Sequence, residues 1–198
     1  MSISVVTLER LPKYLRILKE MQLENINNVS STSIAMELGF NPIQVRKDLA
    51  SVSKCDGKPG VGFVVNDLIN DIEEFLNINK AKDIIVIGAG RLGQALMNYP
   101  GFENKIRVVG AFDCDKSKCD NKRIYPMDSL KKYVQNNNIE VAIITVPKDV
   151  AQGVCDELIK CGIKIIWNFA PVHLKVPESV KIKNEDLSAS LAILLNSN

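Results

Sequence analysis

The segment IIVIGAGRLGQAL (84–96) constrains the fold more than any other stretch of this chain. A run of β-branched residues passes directly into Gly88-Ala89-Gly90-Arg91-Leu92-Gly93, and helix-forming residues follow at once. That order specifies a buried strand, a very short turn and a helix. The spacing gives each glycine a separate task. Gly88 turns the chain, Gly90 lets a diphosphate approach the backbone, and Gly93 lets helix and strand pack closely. The N–H groups at the helix start, around Ala89, Arg91 and Leu92, then face the anion.

The rest of this half repeats the unit. Strand candidates at 106–112 (IRVVGAF), 141–146 (VAIITV), 163–168 (IKIIWN) and, more weakly, 180–183 (VKIK) alternate with helical patterns at 91–98, 128–136 and 148–161. Such alternation reads as a parallel α/β sheet. Asp113 ends the second strand, twenty residues after Gly93. An acid there accepts hydrogen bonds from an adenosine ribose and repels a 2′-phosphate, which favours NAD over NADP. Ligands sit at the carboxyl edge of such sheets, so Thr145, Val146, Pro147, Asn168, Ala170 and Pro171 are expected on the nicotinamide side. Proline also simply stops strands, and two other readings of the glycine segment stay open. One is a plain structural turn, and the other is a site for a different nucleotide such as CoA.

Up to about Asn79 the apolar spacing is helical instead. Leu8, Leu11, Leu15 and Leu18 recur at three and four, which predicts a first helix running to about Leu23, with Pro12 tolerated in its first turn. Ser31 or Ser33 is expected to cap a short helix through Leu38, and Gly39 to end it in a left-handed turn. Asn41 then caps a second helix with Pro42 at its first position. Ala35, Leu38, Val45 and Leu49 supply a shared core, as in a helix–turn–helix.

On the second helix Val45, Leu49 and Val52 share one face, while Ile43, Gln44, Arg46, Lys47, Ala50 and Ser51 sweep the other. In a major groove Arg46 and Lys47 would reach base edges or phosphates, with Gln44 near the helix start. The following SKCDGKPGVGFVV carries Lys54 and Lys58 through a glycine-rich turn into a β-like end, which suits a two-stranded wing. Charge is modest: residues 41–60 hold four basic side chains (46, 47, 54, 58) against two acids (48, 56), a net of +2. A solvated face on a helical packing module therefore stands beside DNA binding.

Composition removes several classes. Net charge is only +2, so a polyanion must be met by a local patch. No apolar run approaches the length of a membrane span. Five scattered cysteines without CxxC suggest reduced thiols in a cytosol. The single histidine, His173, would have to carry any zinc site or histidine-dependent catalysis, and it reads as a loop residue. No catalytic or metal-ligating residue is assigned. About 80 residues go to the helical part, before a polar linker near 77–82, and leave no room for a substrate domain with a proton donor. At the other end, NEDLSASLAILLNSN offers Asp186 or Ser188 as a cap before an apolar helix bearing Leu187, Leu191, Leu194 and Leu195. Packing on its own domain and exchange between the subunits of a dimer are both compatible with it.

LPKYLRIL (11–18), QVRKDL (44–49), GVGF (60–63), GAGRLG (88–93), YPGF (99–102), TVP (145–147) and NFAP (168–171) together resemble the Rex family of redox-sensing transcriptional repressors, over essentially the whole chain. The resemblance implies a two-domain α/β protein: a winged helix over 1–79, a Rossmann domain over 80–184 and a swapped helix over 185–198. It implies a cytoplasmic homodimer on inverted-repeat operator DNA that senses NADH against NAD⁺ and releases the DNA when NADH binds. It further implies a contact joining Arg16, Tyr99 and the partner's tail at Asp186. The chain departs from the family in three places. Ala50-Ser51-Val52-Ser53 stands where a Ser-Tyr-Phe-Gly type of segment is frequent, the wing is a residue longer, and Leu187 replaces an expected aromatic beside the nicotinamide. The other class that the residues admit is an enzyme or enzyme subunit: a small NAD-dependent dehydrogenase, or a CoA-binding subunit with a helical interaction arm.

Overall fold

The computed structural model describes residues 3–55, 57–58, 60–102 and 105–196. The chain divides into two compact units, Met1–Lys80 and Ala81–Asn198.

The first unit runs α1 (Val5–Leu23), β1 (Asn28–Val29), α2 (Ser31–Leu38), α3 (Pro42–Val52), β2 (Phe63–Val64) and α4 (Val65–Phe75). Leu11, Tyr14, Leu15 and Leu18 of α1 enter one core with Ile34, Ala35, Val45, Leu49, Leu68 and Ile72. Leu8, expected on that face, is 39% exposed. Pro12 lies in the interior of α1, not in its first turn. An interior proline costs about 3 kcal/mol, whereas each buried large side chain contributes about 1.5–3 kcal/mol. Four of them on one stripe outweigh it.

The cap of α2 is Ser30, not Ser31 or Ser33. Its backbone is extended at φ −91° and ψ 152°, and its hydroxyl accepts the Ser33 N–H at 3.0 Å. A cap needs that extended backbone, and residue 30 supplies it directly after β1. Gly39 ends α2 at φ 66°, and Asn41 caps α3 by accepting the Ile43 N–H at 2.9 Å. The wing closes differently from a simple hairpin. β2 pairs antiparallel with β1, which precedes α2, and among the described residues an isolated Lys58–Gly62 bridge closes the turn ahead of β2. Asp56 and Pro59 lie outside the described residues.

The second unit runs β3 (Lys82–Ile87), α5 (Arg91–Met97), β4 (Ile106–Asp113), β5 (Ile124–Pro126), α6 (Leu130–Asn137), β6 (Val141–Ile144), α7 (Lys148–Cys161), β7 (Ile165–Asn168), β8 (Lys181–Asn184) and α8 (Leu187–Leu195). The sheet is wholly parallel in the order β5-β4-β3-β6-β7-β8. The chain thus leaves β3 in one direction and returns to its other side with β6, which opens a crevice at the carboxyl ends of both. Alternate residues of β3 enter opposite layers. Ile85 and Ile87 join Phe112, Leu130 and Leu158, and Ile84 and Val86 join Met97, Ala111 and Ile143.

Two features escape the sequence patterns. β5 is three residues long and contains proline, which only an edge strand tolerates, and β5 is an edge. A 3-10 turn (Lys116–Lys118) leads into it, where the sequence shows no helical pattern. α8 is capped by Asp186, yet none of its residues is buried; Leu191 is 57%, Leu194 70% and Leu195 77% exposed. Packing of this helix on its own domain is not what the structure contains.

Candidate functional site

The crevice is built around the glycine turn. Gly88 holds φ +98°, which disfavours any side chain, and a Cβ on Gly93 would lie 1.9 Å from the Gly88 carbonyl oxygen. Above Gly90 the space is open, with no atom within 4 Å of a would-be Cβ. Thr145 ties the turn from the neighbouring strand end, its hydroxyl 2.8 Å from the Gly88 carbonyl and 3.1 Å from that of Ile87.

Asp113 is 7% exposed. It accepts the Ala89 N–H at 2.8 Å, the Asp115 N–H at 2.9 Å and the Lys118 ammonium at 3.2 Å. Burial pushes its carboxyl up, but the two N–H groups and Lys118 outweigh that and hold it below the usual value. The acid is therefore ionised at neutral pH and shapes the glycine turn before any ligand arrives.

The cavity measures about 670 Å³ and is lined by Gly88, Gly90, Phe112, Asp113, Lys118, Met127, Thr145, Val146, Pro147, Phe169 and Pro171, among others. That volume suits a cofactor-sized ligand. The structure brings Gly88, Gly90, Asp113, Thr145, Val146, Pro147 and Pro171 together on its wall. Ala89 and Gly93 are buried in the turn, and Arg91 and Leu92 are exposed at the start of α5. Asn168 is wholly buried; its amide donates to the Val172 carbonyl at 2.8 Å and to Asn184 Oδ1 at 2.9 Å, and its oxygen accepts the Ala170 N–H at 2.9 Å. Asn168 and Ala170 therefore shape the wall from behind. Lys118, Phe112 and Met127 join this wall without a motif that marks them in the sequence. For Lys118 a signal exists: Asp115 caps Ser117 at 3.0 Å, an Asx turn that folds residue 118 back on Asp113. His173 is exposed, with Nδ1 3.4 Å from the Asn184 amide nitrogen.

On α3 the exposed face consists of Ile43, Gln44, Arg46, Lys47, Ala50 and Ser51. Asp48 points the other way and is 3% exposed. It accepts Arg10 Nε at 2.7 Å, the Tyr14 hydroxyl at 2.8 Å and Gln44 Nε2 at 2.8 Å. Burial pushes Asp48 up, and these donors hold it below the usual carboxylate range. Burial and then Asp48 push the Tyr14 hydroxyl up to about 12. Arg10 answers the charge of Asp48 internally, so it does not offset the cations outside. Counting it against them understated the outer face.

Arg46, Ala50 and Lys58 line a groove of about 730 Å³ between α3 and the wing, with Gly60, Val61 and Gly62 opposite. Lys54 is engaged elsewhere: its ammonium is 2.6 Å from Glu74 and its N–H donates to Asp71 at 2.8 Å. The Ser51 hydroxyl donates to the Asp48 carbonyl at 2.6 Å. Arg16 is exposed on α1 in the first unit. In the second, Tyr99 is 53% exposed with its ring edge-on to Phe102 at 5.2 Å, and Asp186 caps α8 by accepting the Ala189 N–H at 2.8 Å.

A winged helix–turn–helix and a parallel sheet with a nucleotide-shaped crevice at its switch point, in one chain, define a ligand-sensing transcription regulator. Residues 2–50 match the family described as "Putative DNA-binding protein N-terminus", and residues 79–172 the family described as "CoA binding domain". The redox-sensing transcriptional repressor Rex of Treponema denticola is 42% identical over 193 residues, covering 95% of this chain and 91% of that protein. Rex of Clostridium perfringens strain SM101 is 39% identical over 204 residues, covering 99% and 96%. Among solved structures, the Rex-family repressor RSP in complex with β-NAD⁺ and operator DNA is 34% identical, with a TM-score of 0.90 and coverage of 98% and 92%. RSP in complex with β-NADH has a TM-score of 0.83. The chain belongs to the Rex family of redox-sensing transcriptional repressors.

Proposed function

We propose that this chain binds inverted-repeat operator DNA as a homodimer and leaves it when NADH binds, so that it reports the NADH/NAD⁺ ratio. The observation that carries the reading is the crevice itself. It combines an open approach above Gly90, an ionised and nearly buried Asp113, and an apolar wall of Val146, Pro147, Phe169 and Pro171. Those residues fit a dinucleotide. The turn over 88–93 would hold its diphosphate and Asp113 its ribose, while the apolar wall takes the nicotinamide ring. When bound, the cofactor supplies the signal through its ring, which is neutral in NADH and cationic in NAD⁺. An apolar wall disfavours the cation.

The reader is residues 1–79, the cofactor domain 80–184 and the tail 185–198. Gln44, Arg46, Lys47, Ser51, Lys54 and Lys58 are the side chains assigned to DNA, with Lys54 first having to leave Glu74. α8, in which no residue is buried and Leu187, Leu191, Ile193, Leu194 and Leu195 are each more than half exposed, is the segment exchanged between subunits. Arg16, Tyr99 and Asp186, all three exposed, are the residues assigned to coupling NADH binding to DNA release, an assignment that rests on the resemblance to the family. Five cysteines without a disulfide support a reducing compartment such as the cytoplasm, and among the described residues no helix is long and apolar enough to cross a membrane. Converting a 1:99 population to 99:1 requires about 5.5 kcal/mol of differential binding, which two cofactors per dimer share.

The test is operator affinity measured while NADH is titrated at fixed NAD⁺, beside an assay of NADH consumption. DNA is expected to be released with no NADH consumed. Equal calorimetric affinities for NADH and NAD⁺ refute the sensing mechanism, and turnover would point to a small dehydrogenase.

A further inference from the structure

We propose that Gln44 reads an adenine in the major groove, with its amide locked by Asp48 so that the carbonyl oxygen faces the DNA. The proposal rests on the assignment of α3 as the DNA reader and goes beyond it by naming the base. Gln44 is the third residue of α3, where recognition helices meet base edges. Its Nε2 donates to Asp48 Oδ1 at 2.8 Å.

The orientation of this amide follows from charge. An ionised carboxylate only accepts hydrogen bonds, so the –NH₂ group must face it. Turning the amide over would set two acceptor oxygens against each other at that distance. Asp48 cannot turn to accommodate the flip. Arg10 holds Oδ2 through Nε at 2.7 Å and Oδ1 through Nη2 at 3.0 Å, and Tyr14 donates to Oδ2 at 2.8 Å. The Gln44 oxygen is consequently presented on the exposed side, fixed before any contact is made, which spares the cost of ordering a long side chain.

The chemistry of the face then selects the base. Among the side chains of the exposed face (43, 44, 46, 47, 50 and 51), Gln44 holds the one carbonyl acceptor; Arg46 and Lys47 carry donors only. A carbonyl acceptor pairs with an exocyclic amino group, which adenine and cytosine present in the major groove. The second amide N–H of Gln44 remains for adenine N7, for which cytosine has no counterpart. Ile43, 67% exposed beside it, adds an apolar contact suited to a thymine methyl group.

The experiment uses the full chain. Duplexes are enriched by the wild-type protein from a pool with randomised inverted repeats. Affinities follow by fluorescence anisotropy for the enriched duplex and for every symmetric base-pair substitution in it. Wild type, Gln44→Met and Asp48→Asn are compared. Wild type is expected to prefer adenine at one position per half-site by on the order of tenfold to a hundredfold. Gln44→Met loses that preference and keeps all others. Asp48→Asn, whose neutral amide lets Gln44 turn, weakens the same preference. Gln44 is exposed, so the methionine variant decides the matter even if the asparagine variant is unstable. The proposal is overturned if Gln44→Met lowers affinity equally for every duplex, or if the preference it removes is for guanine or cytosine. Failure of the wild type to enrich any duplex rejects the DNA-reading assignment itself, and this proposal with it.

Discussion

Replacing Asp113 with alanine tests the cofactor assignment most directly. A carboxylate offers about four lone-pair directions. Here three are taken, one on Oδ1 by Asp115 and two on Oδ2 by Ala89 and Lys118. One direction on Oδ1 is left for a ribose hydroxyl, and a second opens when Lys118 swings away. A hydrogen bond to a charged group contributes about 1.5–3 kcal/mol, so Asp113→Ala should weaken NADH binding roughly ten- to a hundredfold. Selectivity should change as well. Alanine removes the charge that repels a 2′-phosphate and frees the Lys118 ammonium to meet it, so the preference for NADH over NADPH should shrink. Trp167, the only tryptophan, has its ring 4.7 Å from that of Phe169 on the cavity wall, and its fluorescence reports the titration alongside calorimetry. The variant also orphans the Ala89 N–H on a residue 1% exposed, which lowers thermal stability. A fall in melting temperature with unchanged NADH affinity would refute the reasoning. Asp113 would then only shape the turn.

Other consequences are equally concrete. Gly93→Ala places a Cβ 1.9 Å from the Gly88 oxygen, and backbone cannot yield as a side-chain tip can; a loss of about 3 kcal/mol is expected in thermal unfolding, together with loss of NADH binding. Asp48→Ala strands Arg10 and the wholly buried Tyr14 hydroxyl and should cost about 3 kcal/mol, the low end for a broken buried pair because Arg10 keeps 17% of its side chain exposed. Asp48 and Asp113 both titrate below their unfolded values, so their stabilisation is complete above the unfolded carboxylate pKa of about 4 and is lost as pH falls through the lower folded values. Acid unfolding followed by circular dichroism should therefore shift to higher pH in Asp48→Ala. Leu191→Asp with Leu194→Asp should turn the proposed homodimer into a monomer in sedimentation; a dimer unaffected by both would remove α8 from the interface.

The sequence patterns reach some of these residues and not others, for local reasons. GAGRLG and Asp113 are legible because the chemistry they serve is carried by backbone geometry, and backbone geometry leaves its mark in glycine spacing. The helix–turn–helix is legible through Asn41-Pro42 and Gly39. β5 is not, because an edge strand of three residues has no period to detect, and Lys118 is legible only through the Asx turn that Asp115 sets. Pro12 misleads because propensity is a local quantity, and the burial that overrides it comes from α2, α3 and α4.

By itself the sequence determined the two kinds of period, the glycine turn, the acid that follows it and the apolar tail. Each is a local pattern, fixed by side-chain spacing along one element. The tertiary structure decided what those charges and faces do. Asp48 counts as a surface acid in any sum over residues 41–60, yet folding turns it inward against Arg10 and Tyr14, where it orders Gln44. Asp113 becomes a scaffold for the glycine turn because Ala89 and Asp115 converge on it from different loops. Burial and hydrogen bonding are properties of the assembled chain, since they depend on neighbours that lie far apart along it.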